Sequence, residues 1–140
     1  MKVVEKFVSI NGEGSKAGQL AVFIRFAGCN LDCVYCDTKW ANEKDVSYSE
    51  MSKEEIYEYI KSTGVRNITV TGGEPLLQDG IYEFLEYLSL DKELYVEIET
   101  NGSVDISFFK KIDNTPSFTM DYKLDYSKME NKMFLDNLKK

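Results

Sequence analysis

The chain has 140 residues, 43% of them hydrophobic, enough for one domain with a buried core. Its apolar stretches are too short for a spanning helix or a secretory signal, so a single cytoplasmic domain of residues 1–140 with no membrane partner is expected. Seventeen Lys and Arg against 24 Asp and Glu leave a net charge of −7, which repels a phosphate backbone and argues against nucleic acid as a partner. With no histidine, Ser-His-Asp and Cys-His catalysis and histidine-dependent zinc chemistry are excluded.

Residues 3–10 read as a first strand, followed by the polar loop Asn11-Gly12-Glu13-Gly14. Residues 19–26 form a nearly unbroken apolar run, the pattern of a strand buried on both faces in a parallel sheet. All three cysteines fall in the next loop. Ser52 as N-cap, Glu55 three residues on, apolar Ile56, Tyr59 and Ile60, and Gly64 as a stop predict a helix. A strand over 67–71 follows, then a helix that Asp79 would cap, with Ile81, Phe84, Leu85 and Leu88 at helical spacing. Residues 94–99 alternate as a strand before the turn Asn101-Gly102, a short helix starts at Asp105, and 117–122 is a last strand.

Strands alternating with helices predict an α/β domain with a mainly parallel sheet, whose ligands sit beyond the carboxyl ends of the strands. Five polar or glycine-rich segments, 11–14, 28–36, 71–75, 99–102 and 121–123, each follow a predicted strand. Gathered at one rim, they would make a site.

Cys29, Cys33 and Cys36 form C-x-x-x-C-x-x-C within G-C-N-L-D-C-V-Y-C-D-T. These spacings bring sulfurs from one short loop onto a single inorganic centre, and three thiolates alone do not close a tetrahedral zinc site. On a four-iron, four-sulfur cluster they leave one iron open to an external ligand. A structural zinc loop with Asp37 as fourth ligand, or thiols that merely pack, are the alternatives.

This spacing, with Tyr35 just before the last cysteine, resembles the signature of the radical S-adenosylmethionine (SAM) enzymes. Gly72-Gly73-Glu74-Pro75, placed after a strand, is similar to their glycine-rich SAM loop. The resemblance implies a partial (β/α) barrel with a mainly parallel sheet and a [4Fe-4S] cluster whose open iron is chelated by SAM. It also implies cleavage of SAM to a 5′-deoxyadenosyl radical.

Further stretches, Ile10-Asn11-Gly12-Glu13-Gly14, Val22-Phe23-Ile24-Arg25, Cys36-Asp37-Thr38-Lys39-Trp40, Val70-Thr71-Gly72-Gly73-Glu74-Pro75 and Ile98-Glu99-Thr100-Asn101-Gly102, together resemble the 7-carboxy-7-deazaguanine synthase (QueE) family over nearly the whole chain. That resemblance implies ring contraction of 6-carboxy-5,6,7,8-tetrahydropterin to 7-carboxy-7-deazaguanine with loss of ammonia. SAM would be a regenerated cofactor, assisted by Mg²⁺, with an electron donor such as flavodoxin or ferredoxin and a homodimeric assembly. By motif it places Ile10, Asn11, Gly12, Arg25 and Thr71 on substrate, and Tyr35, Cys36, Asp37, Gly73, Asp121, Tyr122 and Lys123 on SAM. Cys29, Cys33 and Cys36 would hold the cluster and Thr38 the Mg²⁺.

The residue types suit these roles. Arg25 is the only charge in its apolar strand, and its planar fork fits a carboxylate, an internal ion pair being the alternative. Thr38 offers a hard oxygen, although a turn or cap role would also suit it. Glu13 and Glu99 could bind a pterin edge or ribose hydroxyls, or lie solvated at strand ends. Asp121-Tyr122-Lys123 departs from the Ser-Pro-Lys of many family members. Those members also continue past the equivalent of Lys140, so the barrel is expected to be shortened at the C-terminus. The length admits two further readings: a glycyl-radical-enzyme activating protein, or a non-catalytic iron–sulfur binding fragment.

Overall fold

A computed structural model describes residues 1–139. Six strands form one sheet in the order β3-β1-β2-β4-β5-β6, with β1 Lys2–Ile10, β2 Leu20–Phe26, β3 Ser49–Glu50, β4 Asn67–Gly72, β5 Tyr95–Thr100 and β6 Ser117–Met120. The pairings β2–β4, β4–β5 and β5–β6 are parallel, whereas β1 is antiparallel to both β2 and β3. The α/β architecture with a mainly parallel sheet is therefore as expected.

Two helices cross over between the parallel strands, α1 Lys53–Thr63 before β4 and α2 Ile81–Ser89 before β5. The predicted capping box of α1 forms: Glu55 N–H donates to Ser52 Oγ at 3.1 Å and Ser52 N–H to Glu55 Oε2 at 2.8 Å. Gly64 ends the helix in the left-handed region, φ 70°, which costs glycine little because it lacks a Cβ. At α2 the expectation fails: the N-cap is Gly80, with φ 79° and no side-chain cap, rather than Asp79. A left-handed glycine already turns the chain into the helix, so Asp79 is left on the loop before it.

Alternation along each strand divides the sheet into two chemically distinct faces. Val22, Ile24, Phe26, Ile68, Val70 and Ile98 join Ile56, Ile60, Phe84, Leu85 and Leu88 of the helices in one core. Phe26 and Phe84 meet edge to face, centroids 6.2 Å apart, a preferred aromatic geometry. The strand positions in between, Arg25, Thr69, Thr71, Glu97, Glu99 and Thr119, put polar groups on the other face. The helical face stabilises the domain and the polar face is left for ligands.

Direction of travel corrects one further expectation. Because β1 runs antiparallel to β2, with Ile10 opposite Leu20, the 11–14 segment leaves the sheet where β2 begins. It starts from the rim opposite the other four loops. The last strand also ends at Met120, leaving Asp121 to Lys123 as loop. The short helix after Asp105 is a 3₁₀ segment, Ile106–Lys111, capped by Asp105 through Ser107 N–H at 2.8 Å. No helix among the described residues is long and apolar enough to cross a membrane.

Candidate functional site

Beyond the carboxyl ends of β2, β4, β5 and β6 lies a cavity of about 650 Å³, in the place an open parallel sheet provides for a ligand. Its walls are the cysteine loop, residues 71–73, 99–101 and 119–123, with Arg25, Asn42 and Glu13. Cys29, Cys33, Cys36, Tyr35, Asp37, Thr38, Arg25, Thr71, Gly73, Asp121, Tyr122 and Lys123 are thus brought to one cavity. Ile10, Asn11 and Gly12 are placed differently. Ile10 is 63% exposed at the end of β1, and the Asn11 side chain is buried, taking a hydrogen bond from Thr69 Oγ1 at 2.7 Å. Of the 11–14 segment it is Glu13 that reaches the wall.

The three thiols are free, Cys33 buried and the others partly so. Burial pushes the Cys33 thiol up and the neighbouring Cys29 and Cys36 push the same way, against the Lys123 ammonium, which lowers it. Lys123 is 8% exposed. Burial draws its ammonium down, but the hydrogen bond and charge of Asp121, together with Cys33 and Tyr35, leave it above the usual lysine range. A buried cation therefore stands by a thiol that must ionise to ligate. The Cys29 sulfur accepts from Leu31 N–H at 3.4 Å and Asn101 Nδ2 at 3.5 Å, so a residue far along the chain helps seat the first cysteine.

Among the described residues no three His, Cys, Asp or Glu side chains converge as a single-ion site. A four-iron cluster takes each thiolate on a different iron and does not call for three sulfurs at one point. Two observations beside the cysteines fit a small amino-acid ligand. A Cβ on Gly73 would collide with the Gly28 carbonyl oxygen and with Asn42 Oδ1, so the backbone there is a cradle that only glycine leaves open. Asn42 Oδ1 is itself buried with no hydrogen-bond partner among the described residues, an acceptor that an ammonium would satisfy.

Glu74, next to that cradle, is fully buried. Its carboxylate accepts from Leu76 N–H at 3.1 Å, Asn101 N–H at 2.7 Å and Thr100 Oγ1 at 2.9 Å, tying the loop after β4 to the end of β5. Burial pushes this carboxyl up, and the backbone bonds from Asn101 and Leu76 oppose it.

Arg25 donates through Nε to Glu5 Oε1 at 2.7 Å, so the ion pair considered for it does form and uses one edge of the guanidinium. Glu99 is pushed up by burial and by the Glu13 and Glu97 charges, with the Thr71 hydrogen bond and Arg25 pulling down. A carboxyl raised on folding supports the folded state below its ordinary value of 4.5 and loses that support as pH rises through the raised value. Glu99→Gln is therefore expected to gain thermal stability relative to wild type as pH rises above the ordinary carboxyl value of 4.5. Melting temperatures across that rise check this; a difference that stays flat or shrinks with pH contradicts it.

Sequence reading missed Asn42, Asn101 and Glu97. Asn101 stood in a resembling stretch and in the expected 99–102 rim segment without a role of its own, and Asn42 carried no motif. Glu97 stood on the polar side of an alternating strand, but nothing local told that the 11–15 segment would cover it.

A model of the Radical SAM superfamily matches residues 23–136. The chain is 70% identical, over 138 residues, to a 7-carboxy-7-deazaguanine synthase of Clostridium acetobutylicum, covering 99% of itself and 62% of that relative. It is 43% identical over 100 residues to one of Haemophilus influenzae, covering 71% of itself and 44% of the relative. The crystal structure of QueE from Escherichia coli aligns with a TM-score of 0.74 at 26% identity, covering 89% of this chain and 60% of that one. The chain thus spans less than two thirds of the length of these relatives. The superfamily match runs from the buried second strand through all three cysteines, the Gly73 cradle and the Lys123 wall, and the chain belongs to the radical SAM superfamily.

Proposed function

We propose that the chain carries the core of a 7-carboxy-7-deazaguanine synthase, acting on 6-carboxy-5,6,7,8-tetrahydropterin. The observation that carries this reading is that one cavity is lined both by the three cysteines with the Gly73 cradle and by a polar set, Arg25, Thr71, Glu13 and Glu99, whose members act on one another's charge. The named relatives support the same assignment.

Cys29, Cys33 and Cys36 would hold a [4Fe-4S] cluster, and SAM would lie against Gly73, Tyr35, Asp37 and the 121–123 segment. Superfamily membership implies both groups. Bound together they supply a carbon radical able to remove a hydrogen from the substrate. Asn42 Oδ1 is the acceptor for the SAM ammonium in this reading, and Lys123, held by Asp121, is the cation on the same side.

In the polar set, the guanidinium edge of Arg25 not committed to Glu5 binds the substrate carboxylate. Glu99, whose carboxyl is raised, holds its proton to higher pH and can donate a hydrogen bond to the pterin ring while protonated. Thr38, whose hydroxyl lies 3.7 Å from Cys36 Sγ, would contribute the single protein oxygen to Mg²⁺, a metal that keeps most of its shell as water and substrate oxygens. A flavodoxin or ferredoxin as electron donor, a homodimer and a cytoplasmic location belong to the same reading.

The test is anaerobic reconstitution with iron and sulfide, reduction, and incubation with SAM, Mg²⁺ and the carboxy-tetrahydropterin, with mass analysis of products. A deazaguanine carboxylate with SAM unconsumed is expected. SAM cleaved to 5′-deoxyadenosine with the pterin untouched would refute the substrate.

A further inference from the structure

The segment offered to substrate starts from the rim opposite the site, so something must hold it across the polar face of the sheet. Glu97 is placed to do this. It lies on β5 two residues before Glu99, on the same face, and is 3% exposed. One carboxylate oxygen accepts from Ser15 N–H at 2.9 Å and from Thr119 Oγ1 at 2.5 Å; the other accepts from Asn11 Nδ2 at 3.5 Å. Asn11 Oδ1 in turn accepts from Thr69 Oγ1 at 2.7 Å. Asn11 and Ser15 are therefore joined through Glu97 to β5 and β6, and Asn11 is joined directly to β4 through Thr69.

The contact is close as well as polar. Gly14 has φ 74°, and a Cβ there would strike the Glu97 carboxylate and the Thr119 hydroxyl. The loop backbone is drawn down onto the acid, with Glu13 next to it in sequence on the cavity wall. Backbone pairing of Asn11 with Gln19 and Gly18, at 2.8 Å each, closes only the base of the loop. At Ser15 it is the Glu97 carboxylate that receives the amide.

We propose that Glu97 is a positioning residue for substrate: its buried carboxylate pins the 11–15 segment across the sheet and so sets Glu13 against the site. This rests on the reading that the polar set with Glu13 takes the pterin. Glu97 is not among the residues lining the cavity and acts through the loop. An acid is suited to the place because it accepts from a backbone amide, a hydroxyl and a side-chain amide at once.

Glu97→Ala and Glu97→Gln, made in the reconstituted chain, test the pin with two independent readouts. In Glu97→Ala, hydrogen exchange at the Ser15 amide is expected to speed up by about tenfold or more, the scale of one lost charge-assisted hydrogen bond. KM for the carboxy-tetrahydropterin should rise by about tenfold with kcat little changed, and the 5′-deoxyadenosine formed without substrate should match wild type. Glu97→Gln, which keeps an acceptor for Ser15, should recover most of both effects. Unchanged Ser15 exchange, unchanged KM, or a parallel fall in substrate-free SAM cleavage each overturns the proposal.

If Glu97→Ala does not fold, Gly14→Ala breaks the same contact from the exposed loop side and should give the same pair of changes. If wild type makes no deazaguanine, the reading of function fails by that result, while exchange at Ser15 still decides whether Glu97 pins the loop.

Discussion

Cys33→Ala is expected to remove the cluster while leaving the fold. Iron after anaerobic reconstitution should fall from about four per chain to less than about one, with loss of the broad visible absorption and of all SAM cleavage. Cys33 is 6% exposed, the most buried of the three, and alanine fills most of the space of a small apolar side chain there. The unfolding midpoint of the metal-free protein should therefore move little. A variant that still binds a full cluster and cleaves SAM would mean that Cys33 packs and does not ligate. A variant unfolded without metal would mean that its thiol serves the core.

Gly73→Ala is the second large effect, reached by adding one methyl group and removing no side chain. The new methyl would be driven into the Gly28 carbonyl oxygen and Asn42 Oδ1. The Gly28 carbonyl is fixed, accepting from Glu74 N–H at 2.9 Å, so the glycine-rich loop itself must move. Overpacking of this kind costs about 1–3 kcal/mol of stability. A displaced cradle should also weaken SAM binding by about a hundredfold, near 3 kcal/mol. Equilibrium denaturation and SAM binding to the reconstituted protein read the two effects separately. Full affinity would show that SAM does not lie against Gly73.

Much of this was legible from local signals because those signals are short-ranged in origin. The box of Ser52 and Glu55 and the stop at Gly64 define α1 wherever they occur, and the apolar run of β2 requires burial on both faces. The cysteine spacing and the glycine pair carry their chemistry within a few residues. What was not legible depends on strand direction and on partners far away. Whether β1 runs with or against β2 is a tertiary fact, and it decides which rim the 11–14 segment leaves from. The burial of Asn11 follows from Thr69 and Glu97, 58 and 86 residues away. The pattern named Asp79 as the start of α2, and the left-handed backbone of Gly80 took its place.

The cysteine loop closes within eight residues, but its shelter does not: Asn101, which donates to the Cys29 sulfur, lies 72 residues downstream. At a synthesis rate of about 5–20 residues per second, that distance takes about 4–14 s to make. The thiols are thus among the first parts of the site to emerge and among the last to be enclosed. During that interval dissolved oxygen can reach all three, including Cys33, which the finished fold buries.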